Sequence, residues 1–478
     1  MFFKRFYDTK LAQASYLVGC TASGEALVVD PNRDPEPYLQ AADAEGLRIV
    51  HVTETHIHAD FVSGARELAH RAGARLYLSD AGGEDWRYGY STESGATPLY
   101  DGSCFRVGAI EVRALHVPGH TPEHLSFFVT DSASASEPMG VFTGDFIFVG
   151  DVGRPDLLER AVNLQGTMEE SARQVFRSLQ RFRELPDYLQ IWPGHGAGSA
   201  CGKALGALPQ TTLGYEKRFN WAFGVSHEGE FVRAVLAGQP DPPCYFAEMK
   251  RINQSGPPLL GRLRRPARLP PKGLAAVLAR RGTVVDTRQA PAFMLGAVPG
   301  TINIPFNRSF TGWAGSLIPY GRDYHLILDD RRIELVDEVV RDLAGIGLER
   351  IAGYFGIEAL EAWRGSEGQL QTIPTLEIEA VAARLRSGES LALDVRSEGE
   401  WKSGHLPGSL NLPVACLDQR RGEIPRDRPL IVHCQTGRRA AIAASLLRAH
   451  GFTDLSLFSG GFAEWSAAGL ATSHEDRE

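Results

Sequence analysis

Residues 286–305, DTRQAPAFMLGAVPGTINIP, and residues 394–413, DVRSEGEWKSGHLPGSLNLP, are two copies of one pattern, and this repeat decides the architecture of the second half of the chain. The copies align without a gap. Gly296 falls on Gly404, Pro299 on Pro407, Gly300 on Gly408, Asn303 on Asn411 and Pro305 on Pro413. Each copy continues into a short apolar strand (YHLILDD, PLIVHC), a helical stretch (IELVDEVVRDLAG, RAAIAASLLRAHG) and an aromatic segment that ends at Trp363 or Trp465. Two α/β modules of about 100 residues each are expected, an ordinary domain size.

The first half alternates β-branched runs with helical patterns: EALVVD, RIVHVTETHIHAD, ARLYLSD and EVRALHV read as strands, GARELAHRAG as a helix. A layered α/β domain follows from that alternation. It gives way to LLGRLRRPARLPPKG, which is rich in Pro, Arg and Gly and carries no sustained period, as linkers do. The expected division is 1–260, 261–370 and 371–478. At 478 residues and 43% hydrophobic the chain has enough apolar material for two or three cores.

Composition narrows the function. A net charge of -8 argues against nucleic acid or an anionic membrane surface as partner, because phosphate binding needs concentrated Lys and Arg. The opening MFFKRFYD holds charges at positions 4, 5 and 8, so no secretory signal is read there, and no stretch approaches a membrane span. Six cysteines stand without a CxxC pair, which points to a reducing, cytoplasmic setting.

Histidine and aspartate collect where strands give way to loops. After RIVHVTE come His56, His58 and Asp60; HVPGHTPEH supplies His120, VFTGDFIFVGD supplies Asp145 and IWPGHGAG supplies His195. On a strand end, alternate side chains share one face, so His56 and His58 can enter one site. Jointly the four segments, in the order HxHxD, PGH, TGD and PGH, resemble the metallo-β-lactamase superfamily over roughly residues 1–250, which implies an αββα fold. The two-metal hydrolases of that superfamily, such as glyoxalase II, read HxHxDH; here the last position is Phe61, whose ring cannot coordinate. Two histidines and a carboxylate with open positions form the facial triad of non-haem iron(II) oxygenases.

The sequence is most similar to the persulfide dioxygenases, and the resemblance implies iron(II), one per dioxygenase domain, on His56, His120 and Asp145. His58 and His195 become groups that orient ligands or meet substrate, with Asp60 beside them. Arg154 in GDVGRPD is expected to take a substrate carboxylate by paired hydrogen bonds, with a surface salt bridge as the plainer reading. Cys201, in the glycine-rich GAGSACGKALG, is expected near the metal in a redox or sulfur-carrying role. Cys20, Cys104, Cys244 and Cys416 are read as structural, and His51, His70, His116 and His124 as packing or solvent-facing.

The later repeat contains LIVHCQTGRRAAIAASLL, which sets Cys434 between a buried strand and a helix N-terminus, where backbone N–H groups and the helix dipole stabilise a thiolate. With Asp394, GHLPGS and the closing GGFAEW the module resembles single-domain rhodaneses. Cys434, the Gly437 turn, Arg438 and Arg439 are the expected sulfur-transfer site. A cysteine phosphatase needs an arginine six positions after the cysteine, and residue 440 is Ala. The earlier repeat places Asp330 where the cysteine should be, so it reads as an inactive rhodanese-like module.

The resemblance therefore implies oxidation of a thiol persulfide, such as glutathione persulfide, by dioxygen to sulfite and thiol, with sulfane-sulfur transfer that makes or consumes thiosulfate, and a homo-oligomer. A zinc thioester hydrolase of the glyoxalase II type and a non-enzymatic sulfur carrier or sensor are the alternatives.

Overall fold

The computed structural model describes residues 1–160 and 166–474. The chain divides into two units, Met1–Leu263 with Arg341–Gly347, and Arg264–Val340 with Leu348–Glu478.

The first unit holds two six-stranded sheets. One runs in sequence order through β1 (Phe2–Asp8), β2 (Gln13–Cys20), β3 (Glu25–Val29), β4 (Arg48–Thr53), β5 (Arg75–Ser79) and β6 (Thr97–Leu99). The first two pairings are antiparallel and the remaining three parallel. The second sheet comprises β7 (Cys104–Val107), β8 (Ile110–His116), β9 (Leu125–Asp131), β10 (Gly140–Gly144), β11 (Gln190–Pro193) and β12 (Thr211–Thr212), again in sequence order.

Covering both faces of a sheet erases the in-out polarity alternation of its strands, and β2, QASYLVGC, is buried at every residue. Leu17 points into a core shared with the helices Glu36–Ala44 and Ala65–Ala72, while Tyr16 and Val18 point into the core between the sheets. The other sheet packs its outer face on the helices Met168–Arg183 and Glu228–Leu236. The layers are thus helix, sheet, sheet, helix, as expected for the metallo-β-lactamase fold. Between the sheets Phe142 lies against Phe3, Tyr16 and Trp192, with ring centroids 6.2, 4.9 and 4.8 Å away.

The second unit contains two parallel sheets. One has the order β14-β13-β15-β16, with β13 Thr283–Asp286, β14 Ile302–Asn303, β15 Tyr324–Leu328 and β16 Ile351–Gly356. The other has the order β19-β18-β20-β21-β17, with β17 Thr375–Leu376, β18 Leu391–Asp394, β19 Leu410–Asn411, β20 Leu430–His433 and β21 Leu455–Phe458. The four strands common to both follow one order.

Register corrects one expectation. Asp394 pairs with His433, the residue before Cys434, and its repeat counterpart Asp286 pairs with Ile327. Leu328, wholly buried, therefore occupies the place of Cys434, and Asp330 lies two residues further on. Downstream of that place the earlier copy has four residues, 329–332, before its helix begins at Ile333, and the later copy has three, 435–437, before Arg438.

Truncating Phe142 to Ala removes a ring that both sheets enclose, and should cost about 3–5 kcal/mol. Denaturant unfolding followed by tryptophan fluorescence checks this; a loss below about 1 kcal/mol would show that the aromatic contacts do not hold the sheets together.

Candidate metal centre and cysteine loop

The metal-site histidines are aimed by a carboxylate that ends β3. Asp30 accepts hydrogen bonds from the Thr55 amide (2.7 Å) and the Thr55 hydroxyl (2.9 Å), and its Oδ1 lies 3.1 Å from His58 Nε2. Glu123 holds the same segment from the other side, its Oε1 accepting the Ile57 amide at 2.7 Å. These bonds turn the chain sharply after β4 and send His56 inward. Burial disfavours charge on His58, but Asp30, with Glu54 and Asp60 behind it, outweighs burial and lifts His58 to about 9. His58 is thus a charged partner of Asp30.

His56, His120 and Asp145 converge, with one ligand atom of each within 4.8 Å of the others. Asp145 Oδ2 lies 3.5 Å from His120 Nε2 and 4.0 Å from His56 Nε2. His120 Nδ1 lies 3.0 Å from the Arg154 carbonyl, which can only accept, so Nδ1 carries the proton and Nε2 keeps its lone pair. Burial holds His120 down at about 4 and His56 well below its ordinary value, the latter helped by the charge on His58. Both rings are neutral at pH 7, the state in which imidazole ligates.

A second trio, Asp60, His195 and Cys201, lies beside the first, also within 4.8 Å. His195 Nε2 stands 3.3 Å from Asp60 and 3.4 Å from Asp145. Its Nδ1 is 3.1 Å from the Ala12 carbonyl, which fixes the tautomer in the same way. Burial pushes the Cys201 thiol far up, and the Asp60 and Asp145 charges add to the push.

Both oxygens of Asp60 and of Asp145, and Nε2 of His195, are buried without a hydrogen-bond partner. Burial, helped by a neighbouring carboxylate and opposed by the nearby histidines, lifts each carboxyl toward the neutral form, to about 6. Carboxylates and neutral imidazoles left this way are a fit for a divalent cation, which supplies the missing charge and coordination.

Several sequence expectations meet their surroundings here. Arg154 is fully buried; Nε and Nη2 donate to the two oxygens of Asp156 at 2.7 Å and Nη1 donates to the Ala200 carbonyl at 3.2 Å. This corrects the reading of Arg154 as a carboxylate receptor, because its fork is already filled. Its backbone instead ties the site together, its amide donating to the Cys201 carbonyl while its own carbonyl takes His120. His58, expected to meet substrate, spends Nε2 on Asp30. Phe61 packs on His58 at 4.4 Å and is wholly buried.

His124, read as packing or solvent-facing, belongs to the centre. Its ring stacks on His56 at 4.9 Å and its Nε2 accepts the Asp145 amide at 3.0 Å. Asp30 and Glu123 carry no role in the sequence reading; the signals were a carboxylate closing an apolar strand in EALVVD and the residues TPEH directly after His120.

In the second unit Cys434 is buried where β20 ends. Gly437 has φ +80° and an added Cβ would lie 2.5 Å from the Ser459 carbonyl oxygen, so the turn needs glycine. The Phe462 amide donates to the Cys434 carbonyl at 2.8 Å, and a Cβ on Gly461 would come within 2.2 Å of the same oxygen. Arg438 is exposed. Arg439 is half-buried, and both of its terminal nitrogens reach Glu400.

A family model described as the metallo-beta-lactamase superfamily matches residues 8–195. A crystal structure described as a metallo-beta-lactamase from Staphylococcus aureus is 45% identical, covers 74% of this chain and 99% of its own, and superposes with a TM-score of 0.68. The chain belongs to the metallo-beta-lactamase superfamily. This superfamily member also carries a rhodanese-like domain, whose family model matches residues 377–468. A hydroxyacylglutathione hydrolase of Methylococcus capsulatus is 35% identical over 180 residues, 38% of this chain, and the chain spans only 60% of that curated relative. ETHE1 from Myxococcus xanthus is 26% identical over 53% of this chain and 99% of its own, with a TM-score of 0.43.

Burial raises the Glu400 carboxyl, but the Arg439 guanidinium and the Ser397 amide and hydroxyl outweigh it and bring it to about 2. A depressed folded value means the ion pair's stabilisation is whole above the ordinary 4.5 and is lost as pH falls through about 2. A carboxyl carbon NMR titration should therefore show Glu400 midway near 2; a midpoint at the ordinary value would show that the pair does not persist in solution.

Proposed function

We propose that the first unit oxidises a low-molecular-weight thiol persulfide with dioxygen to sulfite and thiol, at one iron(II) held by His56, His120 and Asp145. The observation that carries this reading is Phe61, buried against His58 at the place where the two-metal hydrolases have their sixth-position histidine. Two neutral imidazoles and one carboxylate are the donor set of non-haem iron(II) oxygenases. When bound there, ferrous iron supplies open positions at which dioxygen and the persulfide sulfur react.

The balance is RSSH + O2 + H2O → RSH + HSO3⁻ + H⁺, so a proton must leave. The Arg154 carbonyl holds His120 with Nε2 inward, and the Ala12 carbonyl does the same for His195. Asp60 lies 3.3 Å and Asp145 3.4 Å from His195 Nε2, a nitrogen that makes no hydrogen bond, which equips His195 and Asp60 to hold and pass the released proton. The rings of Phe61 and Phe148, both buried, keep bulk water from the surroundings of His58 and His195.

Cys434 is the sulfur-transfer thiol of this reading. A Cys434 persulfide gives its outer sulfur to sulfite, releasing thiosulfate and the thiol, or the reaction runs in reverse. Residues 261–370 act as an inactive rhodanese-like module, with Leu328 in the place of the nucleophile. The chain would divide as 1–260, 261–370 and 371–478 and work in the cytoplasm. One polypeptide keeps the two activities at a high effective concentration.

A second reading, zinc-dependent thioester hydrolysis, is favoured by the 35% identity to a hydroxyacylglutathione hydrolase. Metal analysis and oxygen uptake separate the two. Anaerobically iron-loaded protein given glutathione persulfide should consume oxygen and yield sulfite or thiosulfate; His120→Ala should lose both the metal and the uptake. Cys434→Ser should keep the uptake and lose sulfane transfer. Iron-replete protein that takes up no oxygen with any thiol persulfide, yet cleaves a glutathione thioester with zinc, would overturn the first reading.

A further inference from the structure

The segment WRYGY, residues 86–90, alternates aromatic rings with Arg87 and Gly89. Trp86, Tyr88 and Tyr90 are buried while Arg87 and Gly89 are exposed, so the rings pin the chain and turn the Arg87 side chain outward. Strand alternation does similar work on the sheet beside it. Leu78 and Asp80 share one side at the end of β5, and Ala96, Pro98 and Tyr100 share one side along β6. Leu78 pairs with Pro98, so the two sets adjoin.

Between that side of the sheet and the segment 87–92 lies a cavity of about 390 Å³. Leu78, Ala96 and Pro98 form its apolar wall, and Asp80, Arg87, Ser91 and Thr92 its polar one. The volume suits a small ligand. His56, His120 and Asp145 do not line it, nor do Asp60, His195 and Cys201.

Two opposite charges stand side by side here. Asp80 Oδ1 accepts Arg87 Nε at 2.6 Å, and Asp80 Oδ2 accepts the Tyr100 hydroxyl at 2.5 Å. Arg87 is thereby oriented through Nε alone, and its Nη1 and Nη2 donate to none of the described residues. Each Asp80 oxygen keeps a further lone pair for a donor. Tyr88 also lines the cavity, and its hydroxyl is buried without a hydrogen-bond partner.

This pairing of charges selects its ligand. A simple anion drawn to Arg87 meets the Asp80 charge, and a simple amine drawn to Asp80 meets the Arg87 charge. A ligand with carboxylate and ammonium on one carbon answers both at once. We propose that the cavity binds an α-amino-acid headgroup, with its carboxylate on Arg87, its ammonium on Asp80 and its carbon chain along Leu78, Ala96 and Pro98. The headgroup comes from a free amino acid or from the γ-glutamyl end of a small peptide. The site is separate from the metal centre and from Cys434, and stands whatever chemistry those perform.

Saturation-transfer NMR titrations of the full-length protein test this with L-leucine and with S-methylglutathione, whose capped sulfur takes no part in sulfur chemistry. At least one should bind saturably, and the tighter of the two names the source of the headgroup. L-Leucylglycine, which separates the two charges, inorganic phosphate and ethylamine should each bind at least about tenfold more weakly. Arg87→Gln should raise the Kd by about tenfold, the effect of losing a charge-assisted hydrogen-bonded pair. Asp80→Asn should also raise it and should end the discrimination against phosphate.

Arg75→Gln removes the same charge from an exposed position on β5 outside the cavity and should leave the Kd unchanged. Should Arg87→Gln melt early, Ala96→Leu fills the cavity, spares both charges and should abolish binding. The proposal is overturned if neither probe binds, if phosphate binds as tightly as the better probe, or if Arg87→Gln leaves the Kd unchanged. An equal rise in Arg75→Gln overturns it too, since the affinity then reports net charge and not this site.

Discussion

The candidate metal centre depends on one buried carboxylate that is not a ligand. Asp30 ends β3 with φ +51°, a conformation that suits an aspartate better than most residues, and it spends its two oxygens on three groups of the next strand's exit. Those bonds hold Thr55, whose hydroxyl lies 3.0 Å from His56 Nδ1, and through it the ring of the first histidine. The Leu125 amide, at the start of β9, donates to the Thr55 carbonyl, so the same residue also links the two sheets at the site. A single anchored residue therefore transmits the position of one sheet to the histidines and to the other sheet.

The charge balance around that anchor explains why the centre needs a cation. Asp30 is answered by His58, which burial would neutralise but which its carboxylate neighbours keep charged. Asp60 and Asp145 have no such answer within the protein, and the imidazoles nearest them are held neutral by burial. Asp60 and Asp145, with no Lys or Arg paired to them among the described residues, are either protonated or bound to a metal, and only the second uses the imidazole lone pairs.

The second unit shows how a repeat is read through the work its residues do. Asn303 donates to the Asp286 and Arg288 carbonyls, and Asn411 donates in the same way to Asp394 and Arg396. Arg288 reaches the Gly296 carbonyl and Arg396 that of Gly404. The residues whose matches reveal the duplication are thus those that close the strand-to-turn junction in each copy, and selection for folding suffices to keep them. The loop after β15 carries no such demand. It is one residue longer than its counterpart, and only the strand pairing shows that Leu328, not Asp330, holds the place of Cys434.

The same distinction explains what the sequence disclosed in the first unit. His120, Asp145 and His195 each directly follow a glycine, His56 follows the end of β4, and close packing at the glycines enforces the spacing. An added Cβ on Gly153 would lie 1.7 Å from the Asp145 carbonyl oxygen, and one on Gly194 would lie 2.7 Å from the Asp145 carboxylate. Local pattern therefore carried the candidate ligands that the fold brings together and the layered fold itself. Asp30, Glu123 and His124 act at long range in sequence, through an amide or a stacked ring, and no local pattern distinguishes such a residue from an ordinary polar side chain at a strand end. Arg154 failed differently. Its motif was visible, but whether a guanidinium faces a ligand or a neighbour depends on whether a carboxylate two residues away can fold back onto it, and in GDVGRPD the turn through Pro155 lets Asp156 do so. Its buried fork then fixes Ala200, and with it the loop that brings Cys201 beside the two carboxylates.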